Sequence, residues 1–195
     1  MILPVIAYGD PVLRKIGKDI DKDYPNLDKL LADMRDTMLN SFGVGLAAHQ
    51  VGRPIRLFMV DTEPFADNED YSEKERAEFA KFKRIFINAR ITKEEGEEWV
   101  FNEGCLSVPN INEDVWRKPN ITIEYVDENF EKHKETFSGL IARVIQHEYD
   151  HIEGIVFTDK ISSFKKRIIK RKLDNITKGN INVGYPMKFP KLKNR

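Results

Sequence analysis

The side chains with the most evident chemistry lie between residues 147 and 151, in the sequence His-Glu-Tyr-Asp-His. His147 and His151 are four residues apart, so on a helix they lie on one face, where both imidazoles can bind a single metal ion. Glu148, beside the first histidine, can act as a general base toward water at that metal. This spacing is typical of zinc hydrolases. If the helix is buried, these groups need a metal or other partners, because burying them alone is unfavourable.

A metal site of this kind requires a third ligand from elsewhere in the chain, because catalytic sites have three protein ligands and leave one position open. Cys105 is the single cysteine. It cannot form a disulfide within the chain, so it is a reduced thiol. It follows directly after the predicted strand that ends at residue 101, and in combination with the two histidines it is the preferred third ligand. His49 and His133 are the remaining histidines that could bind. The alternative interpretation of Cys105 is a small buried hydrophobic residue.

A glycine-rich loop over residues 43–50 is the third segment of interest. Its small residues allow the backbone to approach a ligand closely. The side chain of Gln50 can donate a hydrogen bond to a developing oxyanion. A glycine at the end of a helix is more often a cap, so the loop alone does not establish a function.

Hydrophobic patterns predict the elements that position these residues. Apolar residues at helical spacing predict a helix from Leu27 to Leu39, and a second helix between Ser138 and Gly154 carries the histidines. Because the second helix is apolar on more than one face, we expect it to be buried between sheets. Runs of β-branched and aromatic residues predict antiparallel strands at 55–61, 84–92, 97–101 and 120–127.

The rest of the pattern predicts peripheral elements. The acidic stretch 63–83 is predicted to be a surface insertion with a short exposed helix over 72–83, and a basic helix is predicted over 163–176, followed by an extended tail. The predicted fold class is α+β: antiparallel β-sheets packed around a central metal-binding α-helix, with an N-terminal helix and a C-terminal basic helix. We expect a single domain over 1–195, with a core of about 1–160 and a basic segment of about 160–195.

Composition narrows the class of protein. Hydrophobic residues make up 41% and charged residues 33% of the 195 residues, which indicates a soluble globular chain. No apolar run approaches a membrane span, and the N-terminus lacks the pattern of a signal peptide, so we expect the cytoplasm. The net charge is zero, but residues 160–195 carry twelve Lys and Arg against one acid, a local charge of +11. Such a segment contacts a polyanion or is simply a solvated surface.

Taken together, three segments of the sequence resemble the signature motifs of the peptide deformylases. They are Gly-Val-Gly-Leu-Ala-Ala-His-Gln at 43–50, Glu-Gly-Cys-Leu-Ser at 103–107 and Gln-His-Glu-Tyr-Asp-His at 146–151. Their order and approximate spacing also match, and the resemblance covers most of residues 5–160. The chain departs from the family at two positions: His49 replaces a proline, and Asn110 replaces a glycine or an acid.

The resemblance implies an activity and a set of roles. The activity is removal of the formyl group from the N-terminal formyl-methionine of nascent bacterial or organellar polypeptides. One divalent metal ion would be held by Cys105, His147 and His151, with Glu148 as general base and with Gln50 and the Leu106 backbone N–H forming the oxyanion hole. The resemblance also implies Fe²⁺ in the cell, with Zn²⁺ or Ni²⁺ in preparations, and a thiolate ligand suits these ions.

The same resemblance implies how a formyl-methionyl peptide is bound. The backbone of Val44, Gly45 and Gly104 would pair with the peptide as a strand does. The methionine side chain would lie near Gly43, Glu103, Leu140, Arg143, Val144 and residues 111–112. We expect the guanidinium group of Arg143 to extend to solvent and Glu103 to pair with Arg117 as a structural buttress.

The basic C-terminal segment is a candidate contact for the ribosome, whereas DNA and membranes are not expected partners.

Two other functions share part of the sequence pattern. A zinc endopeptidase of the HExxH type would act on unformylated peptides. A metal-stabilised binding module would have four protein ligands, the fourth supplied by His49 or His133.

Overall fold

The computed structural model describes residues 1–190. The α-helices are α1 (Leu27–Asn40), α2 (Glu73–Phe79), α3 (Gly139–Ile152) and α4 (Ser163–Thr177). The β-strands are β1 (Val5–Ile6), β2 (Gly45–Ala47), β3 (Leu57–Asp61), β4 (Lys83–Glu95), β5 (Trp99–Cys105), β6 (Val108–Arg117), β7 (Asn120–Val126), β8 (Lys132–Ser138) and β9 (Met187–Lys188). This is the α+β fold that the sequence predicts.

The strands form one sheet and two pairs. The five-stranded sheet has the order β2-β3-β4-β7-β8, and each neighbouring pair in it is antiparallel. Strands β5 and β6 form an antiparallel hairpin outside this sheet, and β1 pairs with β9 in parallel. The hairpin carries Cys105 at the end of β5, so the strand predicted over 97–101 extends further and includes the cysteine.

Both faces of the five-stranded sheet are covered by a helix. On one face, Phe58 and Phe86 belong to the same buried cluster as Ile145 of α3. On the other face, Leu57 belongs to a cluster with Met34 of α1. Successive residues of β3 therefore point to opposite faces, as in any strand. The continuous apolar character of this strand reflects burial on both sides.

Helix α3 lies at the centre of the molecule, as the sequence predicts. Most of its residues are buried, because the sheet lies on one side and the hairpin on the other. A third buried cluster joins the hairpin to α4 through Val115 and Ile169. Within residues 1–190, none of the helices combines the length and the apolar character that crossing a membrane requires.

The segment between β3 and β4 is only partly a surface insertion. Helix α2 begins as predicted after Ser72, whose Oγ accepts from the Glu75 N–H at 3.3 Å while Glu75 accepts from the Ser72 N–H at 2.9 Å. This reciprocal capping stabilises a short helix. Phe79, however, is 3% exposed and belongs to the main core cluster. The insertion is therefore anchored to the core by one aromatic side chain.

Helix α1 ends in a conformation that its sequence disfavours. The Gly43 N–H donates to the Met38 carbonyl at 2.9 Å and the Phe42 N–H to Leu39 at 3.1 Å, which is the Schellman arrangement. The residue in the left-handed position of this arrangement is usually glycine, yet here it is Phe42, with φ of 56°. Its side chain is 94% exposed, so little burial offsets the strain.

We expect Phe42→Gly to raise the free energy of unfolding by about 0.5–1 kcal/mol, because glycine adopts this backbone conformation without strain. For a chain of this size that corresponds to a rise in Tm of roughly 1–4 °C. Phe42→Ala is the matched control, since it removes the ring but keeps the strained Cβ. Thermal unfolding by circular dichroism measures both, and equal Tm values for the two variants would contradict the assignment of strain.

Candidate metal centre and active site

Helix α3 and the end of β5 bring the three predicted ligands together. The Cys105 Sγ lies 3.3 Å from the His151 Nε2. Ligand atoms of Cys105, His147 and His151 all lie within 4.8 Å of one another. Donors around a tetrahedral zinc-type ion are separated by about 3.3–3.6 Å, given metal–sulfur and metal–nitrogen bonds of about 2.3 and 2.1 Å. The sulfur–nitrogen distance fits such an ion.

The two imidazoles are oriented to offer a nitrogen to this cluster. His147 uses its Nδ1 in a contact of 3.0 Å with the Glu103 Oε2, which leaves the other ring nitrogen for a metal. This carboxylate–histidine pairing is common behind metal sites, where it fixes the orientation of the ring. Burial and the neighbouring His147 hold the pKa of His151 well below its usual value, so its ring is neutral, as a ligand must be.

A buried charge network supports His147 from behind. Glu103 is 4% exposed and accepts hydrogen bonds from the Arg117 Nε at 2.7 Å and Nη2 at 2.9 Å, so the predicted pairing is confirmed. Arg117 also donates to Asp150 of α3 at 2.6 Å. Burial acts to raise the pKa of Glu103, but the hydrogen bonds from Arg117 and His147 hold it well below its usual range. Glu103 is therefore a carboxylate that orients its histidine.

The prediction that Arg143 extends to solvent is wrong. Arg143 is 1% exposed, and its guanidinium donates to the Glu103 Oε1 at 3.0 Å and to the carbonyls of Val115 and Trp99 at 3.1 and 2.6 Å. The guanidinium carbon also lies 4.4 Å from the Trp99 ring centroid. These partners replace the hydration that the charge loses on burial, so the head group stays inside.

Glu148 is held at the site without a hydrogen-bond partner for one oxygen. The side chain is 4% exposed, and within residues 1–190 its Oε2 has no partner. Burial raises the pKa of this carboxyl to about 7. A Cβ on Gly45 would clash with the Glu148 carboxylate, so the glycine loop must lack a side chain at this point. The sequence predicts that this loop brings its backbone close to a ligand, and in the structure the loop backbone lies close to Glu148, the candidate general base.

Gln50 is oriented by its own loop. Its Oε1 accepts from the Ala47 N–H at 2.8 Å, and its Nε2 lies 3.5 Å from the Cys105 Sγ. Because the oxygen is engaged with the backbone, the amide N–H groups point toward the metal cluster. Leu106 follows Cys105 directly, so its backbone N–H belongs to the same turn of chain. Both predicted oxyanion donors therefore lie next to the sulfur ligand.

A cavity of about 500 Å³ adjoins the cluster. The predicted substrate-binding residues that line it are Gly43, Val44, Gly45, Glu103, Gly104, Arg143, Val144, Ile111 and Asn112. Leu140 does not lie there: it is 5% exposed and belongs to the core cluster of α3 and the sheet. It occupies the first turn of α3 and packs within that core cluster.

Other residues line the cavity that the sequence analysis did not single out. Phe42 and Phe101 contribute aromatic rings, and Val183 and Tyr185 belong to the C-terminal tail. The Tyr185 hydroxyl donates to the Leu106 carbonyl at 2.9 Å. No sequence signal marks these tail residues, because the tail has no periodicity and its contacts are distant along the chain.

The positions at which the chain departs from the family pattern have distinct surroundings. His49 is fully buried, and within residues 1–190 neither ring nitrogen has a hydrogen-bond partner. Burial lowers its pKa to about 4, so the ring is neutral. Asn110 has φ of 61°, a conformation that asparagine and glycine tolerate best. His133 is the other histidine considered as a fourth ligand. It lies in the β7–β8 hairpin, where its Nε2 is 2.9 Å from the Asp127 Oδ2.

Two histidines and a carboxylate on a buried helix, facing a cysteine beside an open cavity, define the class of the protein as a metal-dependent hydrolase. The comparison with known families makes this specific. The family model described as polypeptide deformylase matches residues 2–167, and the chain belongs to that family.

Relatives and solved structures agree with this assignment. The peptide deformylase of Christiangramia forsetii is 65% identical over 193 residues, covering 99% of this chain and 98% of the relative. That of Flavobacterium johnsoniae is 62% identical over 193 residues, with the same coverage. The crystal structure of a peptide deformylase from Legionella pneumophila is 33% identical, with a TM-score of 0.77 over 92% of this chain and 98% of that one. The protein is thus a hydrolase that removes the N-formyl group from nascent polypeptides.

Proposed function

We propose that the chain hydrolyses the formyl amide with one divalent cation held by Cys105, His147 and His151. When bound, such a cation lowers the pKa of a water molecule and polarises the formyl oxygen. The observation that carries the proposal is the unpartnered, buried carboxylate of Glu148 beside these three donors. A buried carboxylate oxygen that has no partner among residues 1–190 is available to accept a proton from water, as a general base does.

Glu148 moves the protons in this scheme. Its free Oε2 accepts a proton from water as the oxygen attacks the formyl carbon, and the carboxylic acid then donates that proton to the departing amine. A pKa raised to about 7 by burial suits both steps, because a group that takes and returns a proton works best with a pKa near the working pH.

Gln50 and Leu106 stabilise the negative charge that develops on the formyl oxygen. The Gln50 amide is fixed by its bond to the Ala47 N–H, so its donors are oriented before the substrate arrives. The Leu106 N–H is the second donor. Fixed donors of this kind act on the transition state more strongly than on the ground state.

The cavity beside the cluster receives the formyl-methionyl end of the peptide. Backbone groups of Val44, Gly45 and Gly104 pair with the substrate main chain, and the methionine side chain lies among Val144, Phe101 and Ile111, which all line the cavity. An apolar, unbranched side chain matches these walls. Arg143 lines the cavity and also supports the site from behind, through its bond to Glu103.

The resemblance to the peptide deformylases implies iron as the ion used in the cell, with zinc or nickel in preparations, and the thiolate ligand is compatible with this. Sulfur is a soft ligand and accepts Fe²⁺ as well as Zn²⁺. A cytoplasmic location suits both the reduced thiol and a substrate that is still being synthesised.

The decisive experiment measures formate release together with metal content. Formyl-Met-Ala-Ser should release formate in proportion to bound metal, and a chelated sample should release none. The unformylated peptide and longer internal sequences should remain uncut. Cleavage of unformylated peptides would favour the zinc endopeptidase, and absence of formate release by metal-replete protein would refute the proposal.

The basic helix α4 is the proposed contact with the ribosome. Lys165 forms an ion pair with Glu113 at 3.0 Å, and Lys166 donates to the Asp159 carbonyl at 2.9 Å, so these two are engaged with the protein itself. Lys170, Arg171 and Lys172 are exposed, and among residues 1–190 they form no ion pair. Their charge is available to the phosphates of ribosomal RNA.

Neutralising Lys170, Arg171 and Lys172 to glutamine should reduce co-sedimentation with ribosomes several-fold at low salt and flatten its salt dependence, because fewer counterions are released. Turnover of formyl-Met-Ala-Ser should stay at the parent rate, since the helix is outside the cavity. A control with Lys22, Lys74 and Lys81 changed to glutamine alters the net charge equally on other surfaces. Equal sedimentation of both variants and the parent would assign α4 to ordinary solvated surface.

A further inference from the structure

The C-terminal tail reaches the active site through one side chain. After α4 the chain returns along the molecule, and Tyr185 lines the cavity. Its hydroxyl donates to the Leu106 carbonyl at 2.9 Å, across 79 positions of sequence. The Tyr185 side chain is thus in direct contact with Leu106, whose N–H is the proposed second oxyanion donor.

Strand pairing holds the tail in this position. Strand β9 pairs in parallel with β1, with the Val5 N–H donating to the Pro186 carbonyl at 2.8 Å and the Ala7 N–H to Lys188 at 2.9 Å. These bonds flank Tyr185 on its C-terminal side. On the other side, the Asn182 carbonyl accepts from the Asn110 side chain at 3.4 Å. The tail is therefore fixed at both ends of the segment that carries Tyr185.

The turn that contains Leu106 is held at two successive carbonyls. The Ser107 carbonyl accepts from the Tyr8 N–H at 2.8 Å, and the Leu106 carbonyl accepts from Tyr185. Neither bond belongs to the β5–β6 ladder. The Leu106 carbonyl and the Leu106 N–H belong to successive peptide planes, joined by the φ and ψ torsions of Leu106. Restraint of the carbonyl therefore limits these two torsions, and through them the direction of the N–H.

We propose that Tyr185 is a positioning residue for catalysis: through its bond to the Leu106 carbonyl it orients the Leu106 N–H toward the oxyanion. The inference rests on the proposed function, because it takes the Leu106 N–H to be an oxyanion donor. The match to the polypeptide deformylase family covers residues 2–167, so Tyr185 lies beyond the matched segment. The tail thereby becomes part of the catalytic apparatus of this chain.

The test is Tyr185→Phe in the full-length, metal-loaded protein, which removes the hydroxyl and keeps the ring. A lost hydrogen bond between neutral groups corresponds to about a three- to tenfold effect. We expect kcat for formyl-Met-Ala-Ser to fall by up to that factor, with KM and metal content unchanged, because the oxyanion develops only in the transition state. Tm should fall by no more than roughly 1–6 °C, which corresponds to the loss of one hydrogen bond from the folded protein. Tyr24→Phe removes a hydroxyl remote from the cavity and should behave as the parent.

A thioformyl substrate separates positioning of the oxyanion from a structural effect. Sulfur accepts hydrogen bonds more weakly than oxygen, so the rate with thioformyl-Met-Ala-Ser should depend less on the Leu106 N–H. The ratio of formyl to thioformyl rates should therefore be smaller in Tyr185→Phe than in the parent. An unchanged kcat, an unchanged ratio, or loss of metal would overturn the inference. Failure of the proposed function would appear differently, as absence of formate release by the parent protein.

Discussion

Replacing Glu148 with alanine is expected to lower kcat for formyl-Met-Ala-Ser by about 10²–10⁴-fold, the usual contribution of a positioned base. The carboxylate has one oxygen without a partner among residues 1–190, so it is free to accept a proton from water. The three ligand atoms belong to other residues, and the variant should therefore keep its metal. Single-turnover kinetics with metal analysis on the same sample measures both quantities.

Although replacing Glu148 should lower kcat, it should not lower the stability of the folded protein. Burying a carboxyl group without a full set of partners is unfavourable, and catalytic residues are often kept at the expense of stability. We expect the Tm of Glu148→Ala and of Glu148→Gln to equal or exceed that of the parent. The glutamine variant keeps the volume but cannot take a proton, so it should lose as much kcat as alanine does. Near-normal turnover by either metal-replete variant would remove Glu148 from the mechanism.

Local patterns predicted the parts of the fold that carry a strong apolar signal. Helix α3 was predictable because Leu140, Ile141 and Ile145 extend its apolar surface over more than one face, and all three are buried. Helix α4 was predictable from the apolar face that includes Ile169 and Leu173, which are also buried. In these elements the spacing of the apolar residues indicates which face of the helix is buried.

Strands with exposed faces were missed for the complementary reason. Strand β8 (Lys132–Ser138) is the edge of the five-stranded sheet, and none of its residues is buried. Its sequence is therefore polar and resembles a loop. Strand β6 (Val108–Arg117) alternates Ile111 and Val115 with polar residues that form the outer face of the hairpin. Pairing with β5 determines this strand, and pairing cannot be derived from one segment alone.

The site was predictable where spacing along one helix or a short motif determines geometry, as for His147, Glu148 and His151. It was not predictable where partners come from distant segments. Arg143 was expected in solvent because its sequence neighbours say nothing of Glu103 or the carbonyls of Trp99 and Val115. Tertiary contacts decide where a long charged side chain places its head group.

The second large effect is a loss of iron binding, which is expected for Cys105→Ser. A hydroxyl is a harder and much weaker ligand than a thiolate, so the variant should bind Fe²⁺ poorly. Loss of groups that only support a ligand typically weakens metal binding 10–100-fold, and loss of a ligand should exceed about 100-fold. Formate release at limiting iron should fall in parallel. Ser107→Ala is the matched control, because it alters a buried side chain two residues away and leaves the three donors intact.

Oxidation by peroxide shows whether the ion or the thiol is the more easily oxidised group, and it complements the metal-binding measurement on Cys105→Ser. Peroxide should inactivate the iron-loaded parent, because it attacks either the ferrous ion or the coordinating thiol. The zinc-loaded parent has no oxidisable ion and should lose activity more slowly, by the thiol route alone. If Cys105 were only a small buried side chain, Cys105→Ser would bind iron as tightly as the parent. That outcome would remove Cys105 from the ligand set, and the 3.3 Å contact between its sulfur and His151 would then be packing without coordination.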